Sequence, residues 1–157
     1  RSFTFQEFSQ RYQDVNQLDN MFEDIELRKQ CDDNRQSSTE VFDPIIEMDS
    51  VTDDHFCDGF KTKASDEVQN LLNYSQKLYS QLIEAGVARE QARMILPLAT
   101  KTKIYMSGSI RSWVHFLQLR DDVHAQKEIQ NVAKEAKKIF IKEFPIISKA
   151  LNYKASK

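Results

Sequence analysis

The sequence predicts an α+β domain, rich in helix and carrying a small, mainly antiparallel sheet. Three observations carry that prediction. Apolar residues between Ser65 and Gly86 recur at three- and four-residue spacing, the period of a helix with one buried face. Two stretches, Ser2 to Phe8 and Leu98 to Met106, alternate apolar and polar residues, the period of a strand. Only three glycines and three prolines occur in 157 residues, so little of the chain is built from tight turns.

That length suits one domain with its own core, and 40% hydrophobic with 29% charged residues is ordinary for a soluble globular protein. No run of eighteen apolar residues and no basic-then-apolar leader is present, so neither a membrane partner nor a signal peptide is expected. A net charge of −2 argues against a general nucleic-acid binder, which needs many clustered Lys and Arg; any anion site must be local. Cys31 and Cys57 lie in polar, acidic sequence without CxxC spacing, which points to a reducing, cytoplasmic compartment. The chain opens on Arg1-Ser2-Phe3, without Met and already alternating. The expectation is therefore a single domain over 1–157 that lacks its N-terminal part.

Taken in order, the first strand runs from Ser2 to Phe8, with Phe3 and Phe5 against Thr4 and Gln6. Glu7, Phe8, Ser9, Gln10, Arg11 and Tyr12 then place acid, hydroxyl, amide and guanidinium in close succession, either a site at a strand end or a polar loop with a plain Glu7/Arg11 pair. Residues 13–63 show poor periodicity and frequent acids and read as a loop-rich insertion, with Met21 to Leu27 a short strand or helix. Asp32/Asp33 and Asp53/Asp54 lack the spacing and turn glycine of a calcium loop, and His55-x-Cys57 has no second ligand pair, so no metal is expected. Ser65 reads as the N-cap of the long helix, with Asp66 and Glu67 in its first turn and Gly86 beyond its end. Ala88 to Leu96 reads as a short helix ended by Pro97, with Glu90 and Arg93 three apart on one face, which by itself is a local salt bridge.

After the second strand, Ser107-Gly108-Ser109 breaks the pattern. Ser109 is placed to cap a helix through Ile110, Trp113, Val114, Phe116 and Leu117. Arg111 and His115, four apart, share a face of that helix, and Arg120 stands at its C-terminal end, where the dipole favours a cation. A further helix is expected from about His124 to Glu143, with Ile129, Val132, Ala133, Ala136 and Phe140 as its seam, stopped by Pro145 before a short last helix. The recurrence of arginine among Leu, Ile, Phe and Trp from Glu90 to Gln130 suggests fixed contacts to an anion or a planar polar ring. The dinucleotide, phosphate-loop, zinc-protease and hydrolase signatures are all absent.

Arg1, then Ser2 to Phe8, then Ser9, with Arg11-Tyr12 beyond, resembles the flavin-dependent thymidylate synthase signature: Arg-His-Arg, seven residues, Ser, then Arg-Tyr. The fit runs from the second arginine onward, so the first Arg and the His would precede Arg1. GVAREQARMILPL from Gly86, SIRSWVHFLQLR from Ser109 and VHAQKEIQ from Val123 resemble that family's C-terminal half without a gap, and NRQSS from Asn34 resembles one of its loops. Apart from the insertion, the resemblance covers most of the chain.

The resemblance implies transfer of a methylene from methylenetetrahydrofolate to carbon 5 of dUMP, with FAD carrying hydride and NADPH as reductant. It implies that Glu7, Phe8, Ser9, Gln10, Arg11 and Arg93 hold dUMP, the phosphate mainly through Ser9, Gln10, Arg11 and Arg93. It sets Arg120, as the catalytic residue, against the uracil carbonyl. A guanidinium suits that role because it keeps its proton and its fork fits planar oxygen acceptors. Arg1, Glu7, Ser109, Ile110, Arg111 and His115 are implied FAD contacts, although family members vary at the positions of Ser109 and His115, with Asn frequent. The family assembles as a homotetramer with shared active sites, which suits a chain this size that must enclose FAD. The alternatives are a non-catalytic nucleotide-binding protein and a helical oligomerisation module.

Overall fold

The structure, a computed structural model, describes residues 2–12, 14–18, 20–34, 37–52 and 55–153. Among the described residues, six strands and five α-helices follow one another as β1 (Phe3–Glu7), β2 (Arg28–Gln30), β3 (Ser38–Val41), β4 (Ile45–Thr52), β5 (His55–Lys63), α1 (Ala64–Glu84), α2 (Arg89–Ala92), β6 (Ile104–Gly108), α3 (Ile110–Arg120), α4 (Lys127–Glu143) and α5 (Pro145–Ala150). The architecture is α+β, as the sequence predicts, with the strands in three two-stranded pairs, β1 with β6, β2 with β3 and β4 with β5. No described helix is long and apolar enough to cross a membrane. The chain divides into two compact units, one of Arg1–Phe5, Gln30–Thr39 and Tyr105–Lys157, the other of Gln6–Lys29 and Glu40–Ile104.

In the second of these units, Val15, Met21, Tyr79 and Ala92 form the buried centre, with Leu18, Phe22, Leu82, Ile83, Val87 and Leu96 packed around it. Burial pushes the Tyr79 phenol above its ordinary pKa, and its oxygen accepts from the Val15 N–H at 3.5 Å. Helix α1 starts one residue before the expected cap, because its start is fixed from outside the helix: Asp43 accepts from the Ser65 N–H at 2.9 Å and from the Ser65 hydroxyl at 2.7 Å. Ser65 is thus the residue being capped. At the other end Gly86 takes a φ of 86°, where a side chain would be strained, and its N–H closes on the Ile83 carbonyl.

Where poor periodicity predicts a loop between 13 and 63, the chain makes β2 to β5. The longest pair is the antiparallel hairpin of β4 and β5, registered from Ile45 against Lys63 to Thr52 against His55, with an irregularity between Met48 and Ser50. Ile45, Met48 and Phe60 are exposed on it. With these large apolar side chains in solvent, the period-two alternation that a buried face imposes is weak in this part of the sequence.

In the first unit, Phe3 at the start of β1 sets its ring edge-on to Trp113 (centroids 5.2 Å apart) and to Phe116 (6.2 Å), and so joins β1 to α3. The strand expected over Leu98 to Met106 is confined to β6. Thr100 turns back onto the Pro97 carbonyl through both its N–H and its hydroxyl, and only an isolated bridge to Phe22 marks the lost part. Likewise α4 begins at Lys127 and not at His124. Asp122 takes the His124 N–H and ring Nδ1, while Gln130 donates to the carbonyls of Val123 and Ala125, which holds the stretch as a turn. Of the expected α4 seam, Ala133 and Phe140 are buried, whereas Val132 is exposed. Pro145 ends α4 and opens α5, where its missing N–H costs nothing.

Candidate functional site

Ser109 caps α3 as expected: its backbone is extended and its hydroxyl oxygen accepts from the Ser112 N–H at 3.2 Å. The N–H groups of Ile110 and Arg111, in the first turn, have no carbonyl four residues back to bind, and the helix dipole makes this end positive. At this end of the helix lies a cavity of about 350 Å³ lined by Ser2, Ser109, Arg111 and Ser112. Arg111 is exposed and has no carboxylate partner among the described residues. A free guanidinium beside uncapped N–H groups is a site for an anionic oxygen group.

Gly108, just before the cap, lets Phe3 pack against the end of β6. A Cβ there would fall 2.5 Å from Cδ1 of Phe3, so only glycine lets the ring lie against the strand end. Ser112, buried at 3% exposure, donates to the Ser2 carbonyl at 3.2 Å and meets the Ser109 hydroxyl at 3.0 Å. Sequence reading missed Ser2 and Ser112. The spacing Ser109-x-x-Ser112 was the available signal, since a cap residue and the residue three on face each other.

Of the remaining residues implied to touch FAD, His115 lies half-buried one turn further along α3 and does not line the cavity. Glu7 belongs to the other unit, and Arg1 lies outside the described residues. Arg120 ends α3 with its side chain exposed. The next residue, Asp121, closes the helix and is held by Lys137 Nζ at 2.6 Å.

The residues implied to hold dUMP, apart from Arg120, all fall in the second unit. The Phe8 N–H donates to the Lys103 carbonyl at 2.8 Å, Glu7 Oε1 accepts from the Thr102 hydroxyl at 3.1 Å, and the Tyr12 N–H turns back onto the Ser9 carbonyl at 3.1 Å. This 8–12 turn is tied to α2 twice. Arg11 pairs with Glu90 at 3.4 Å, and Arg89 donates to the Tyr12 carbonyl at 3.0 Å. Glu90 therefore turns to Arg11 and not to Arg93, contrary to the salt bridge its spacing suggests. Arg93, half-buried in the following 3-10 turn, lies one turn along from Arg89 and Glu90, and it has no carboxylate partner among the described residues.

Among the described residues no three His, Cys, Asp or Glu side chains come together in a way that could hold a metal.

The family model described as "Thymidylate synthase complementing protein" (Thy1) matches residues 1–146. A protein of Paramecium bursaria Chlorella virus 1, named a probable flavin-dependent thymidylate synthase, is 42% identical over 98% of this chain and 63% of its own length. A Synechocystis flavin-dependent thymidylate synthase is 38% identical over the same shares, and one from Thermosipho africanus is 34% identical over 90% of this chain and 55% of its own. The chain thus spans less than two thirds of the length of these relatives. With a family match that reaches from the β1 strand through α4, the chain belongs to the Thy1 family.

Proposed function

We propose that this chain carries out flavin-dependent thymidylate synthesis: reductive methylation of dUMP to dTMP, with methylenetetrahydrofolate as one-carbon donor and NADPH as reductant. The observation that carries the reading is the cavity at the start of α3, whose unpaired Arg111 and uncapped N–H groups fit the anionic diphosphate of FAD. Its volume lies at the low end of ligand cavities, roughly 300–1,000 Å³, so it suits part of the cofactor and not the whole. FAD, when bound, supplies hydride to the pyrimidine. Ser109, Ile110, Arg111 and His115 would hold it, together with Arg1 and Glu7.

On the nucleotide side, Ser9, Gln10, Arg11 and Arg93 would bind the dUMP phosphate, with Glu7 and Phe8 beside them. Arg11 already shares its charge with Glu90, whereas Arg93 has no carboxylate partner among the described residues. Arg120 would lie against the uracil carbonyl, where a guanidinium stabilises negative charge on the ring and raises electron density at carbon 5. The working form would be a soluble, cytoplasmic homotetramer in which subunits complete one another's sites, the whole of 1–157 acting as one domain with 13–63 inserted in it.

Purified full-length protein tests this directly. We expect flavin absorbance near one FAD per subunit and dTMP formation from dUMP, methylenetetrahydrofolate and NADPH. Arg120→Ala should abolish dTMP formation with little loss of FAD. A colourless protein that cannot be reconstituted with FAD would refute the proposal, and normal turnover by Arg120→Ala would remove that residue from its role.

A further inference from the structure

We propose that Ser112 is a positioning residue for the anion cavity: its buried hydroxyl ties the start of β1 to the first turn of α3, and so holds the Ser2 wall at the distance from Arg111 that a diphosphate needs. The inference rests on the flavin reading of the cavity, and it adds a residue and a role which that reading did not contain.

The bonding follows from counting protons. The Ser2 carbonyl can only accept, so the single Ser112 hydroxyl proton is committed to it across 3.2 Å. Ser112 therefore has none left for Ser109, and across the 3.0 Å contact between the two hydroxyls Ser109 is the donor. The Ser109 oxygen meanwhile accepts the Ser112 N–H. Every polar atom of Ser112 is thus used within the structure, and the side chain is 3% exposed. Ser109 is bound inward at both its proton and one lone pair. Among the lining residues, the donor left for the anion is then Arg111, with Ser109 serving chiefly as the cap.

The two strand-to-helix ties have different ranges of action. Phe3 packs on Trp113 and Phe116 through apolar contact, which resists separation but tolerates sliding. The Ser112 bond to Ser2 is directional, and it lies in the cavity wall itself. Its loss would let the wall slide while the aromatic contact remained.

Equilibrium titration of FAD, and of inorganic pyrophosphate as competitor, onto full-length wild type, Ser112→Ala and Arg111→Ala separates the possibilities, with dUMP titrated onto each protein as a control. The expected result is FAD binding weakened about tenfold by Ser112→Ala, the effect of one lost buried hydrogen bond, with dUMP affinity unchanged. Pyrophosphate competition should weaken in parallel. If Arg111→Ala weakens FAD binding but folded Ser112→Ala binds FAD like wild type, or loses dUMP equally, the positioning role is overturned and the flavin reading stands. If Arg111→Ala binds FAD like wild type, the flavin reading of the cavity fails and takes this inference with it. Should Ser112→Ala not fold, Ser112→Cys, close in shape and a weak donor, enters the same titrations with the same expected result.

Discussion

Replacing Gly108 by Ala tests whether the contact between β6 and Phe3 is as tight as the geometry requires. The added Cβ would stand 2.5 Å from Phe3 Cδ1, 2.7 Å from Cε1 and 3.3 Å from Cγ. Ordinary contact begins at 3.4 Å, so the ring must retreat by about 0.9 Å. It cannot do so freely, because its other side meets Trp113 and Phe116 edge-on. Overpacking of this kind costs about 1–3 kcal/mol, roughly 2–12 °C in melting temperature for a domain of this size. Trp113, the single tryptophan of the chain, packs against the displaced ring, so its fluorescence is the natural probe in urea unfolding. The decisive comparison is a cycle with Phe3→Ala. With the ring gone, Gly108→Ala should cost under about 0.5 kcal/mol, an interaction energy that marks the clash as the cause. An Ala at 108 that is harmless in the wild type, or equally harmful without Phe3, would refute this reasoning.

Lys137→Ala should destabilise the protein by about 2 kcal/mol, below the 3–5 kcal/mol of a fully buried pair because both side chains keep about a fifth of their exposure; the double change Asp121→Asn with Lys137→Met should recover part of the loss in urea midpoints. Asp43 gives a pH signature. The Ser65 hydroxyl and N–H hold its carboxyl below the ordinary 3.8, so its charge stabilises the fold above that pH and the benefit disappears as pH falls through the lowered value. The stability gap between wild type and Asp43→Asn should therefore be flat from neutral pH down to near 5 and close below 3.8; a gap that widens in acid would contradict the sign. Arg93→Ala should raise the dUMP concentration needed for half-maximal rate by roughly ten- to hundredfold, the worth of one charge-assisted bond, without changing FAD affinity; unchanged dUMP dependence would remove Arg93 from the phosphate site.

Local signals in the sequence were read well, and signals that depend on distant residues were not. Ser109 could be recognised as a cap because the whole mechanism lies within four residues. Ser65 looked the same in sequence, yet its role was taken by Asp43, 22 residues earlier. The pairing of Glu90 shows the same limit: Arg93 is three residues away, but Arg11, 79 residues away, takes the carboxylate. Helical spacing reports which residues can meet on one element and is silent about competitors from elsewhere. The β4–β5 hairpin was hidden for another reason, since apolar residues left in solvent, as Ile45, Met48 and Phe60 are, blur the alternation that marks a strand. At the candidate cavity, Arg111 stands out in the sequence because it is an arginine set among apolar residues. The buried serine that shapes the cavity does not, because a small hydroxyl carries no periodic or charge signal.

Helix α1 shows where apolar periodicity gives more than one unit can use. Leu72, Ser75 and Tyr79 face the core of their own unit, yet Leu71 and Tyr74, on the neighbouring face, are 61% and 64% exposed. The sequence merges both faces into one stripe, since it counts apolar residues without saying what covers them. The first unit has the same surplus: Val132 and Ile139 stand exposed on α4, and Phe5 and Tyr105 on β1 and β6. Large apolar side chains grouped outside the core are the ordinary mark of a surface that meets another protein. A chain designed to stand alone would have no reason to keep them on a long helix whose other positions are freely polar. The proposed homotetramer would give these faces a partner, and it would also let a chain whose cavity is too small for a whole flavin share the enclosure of the rest.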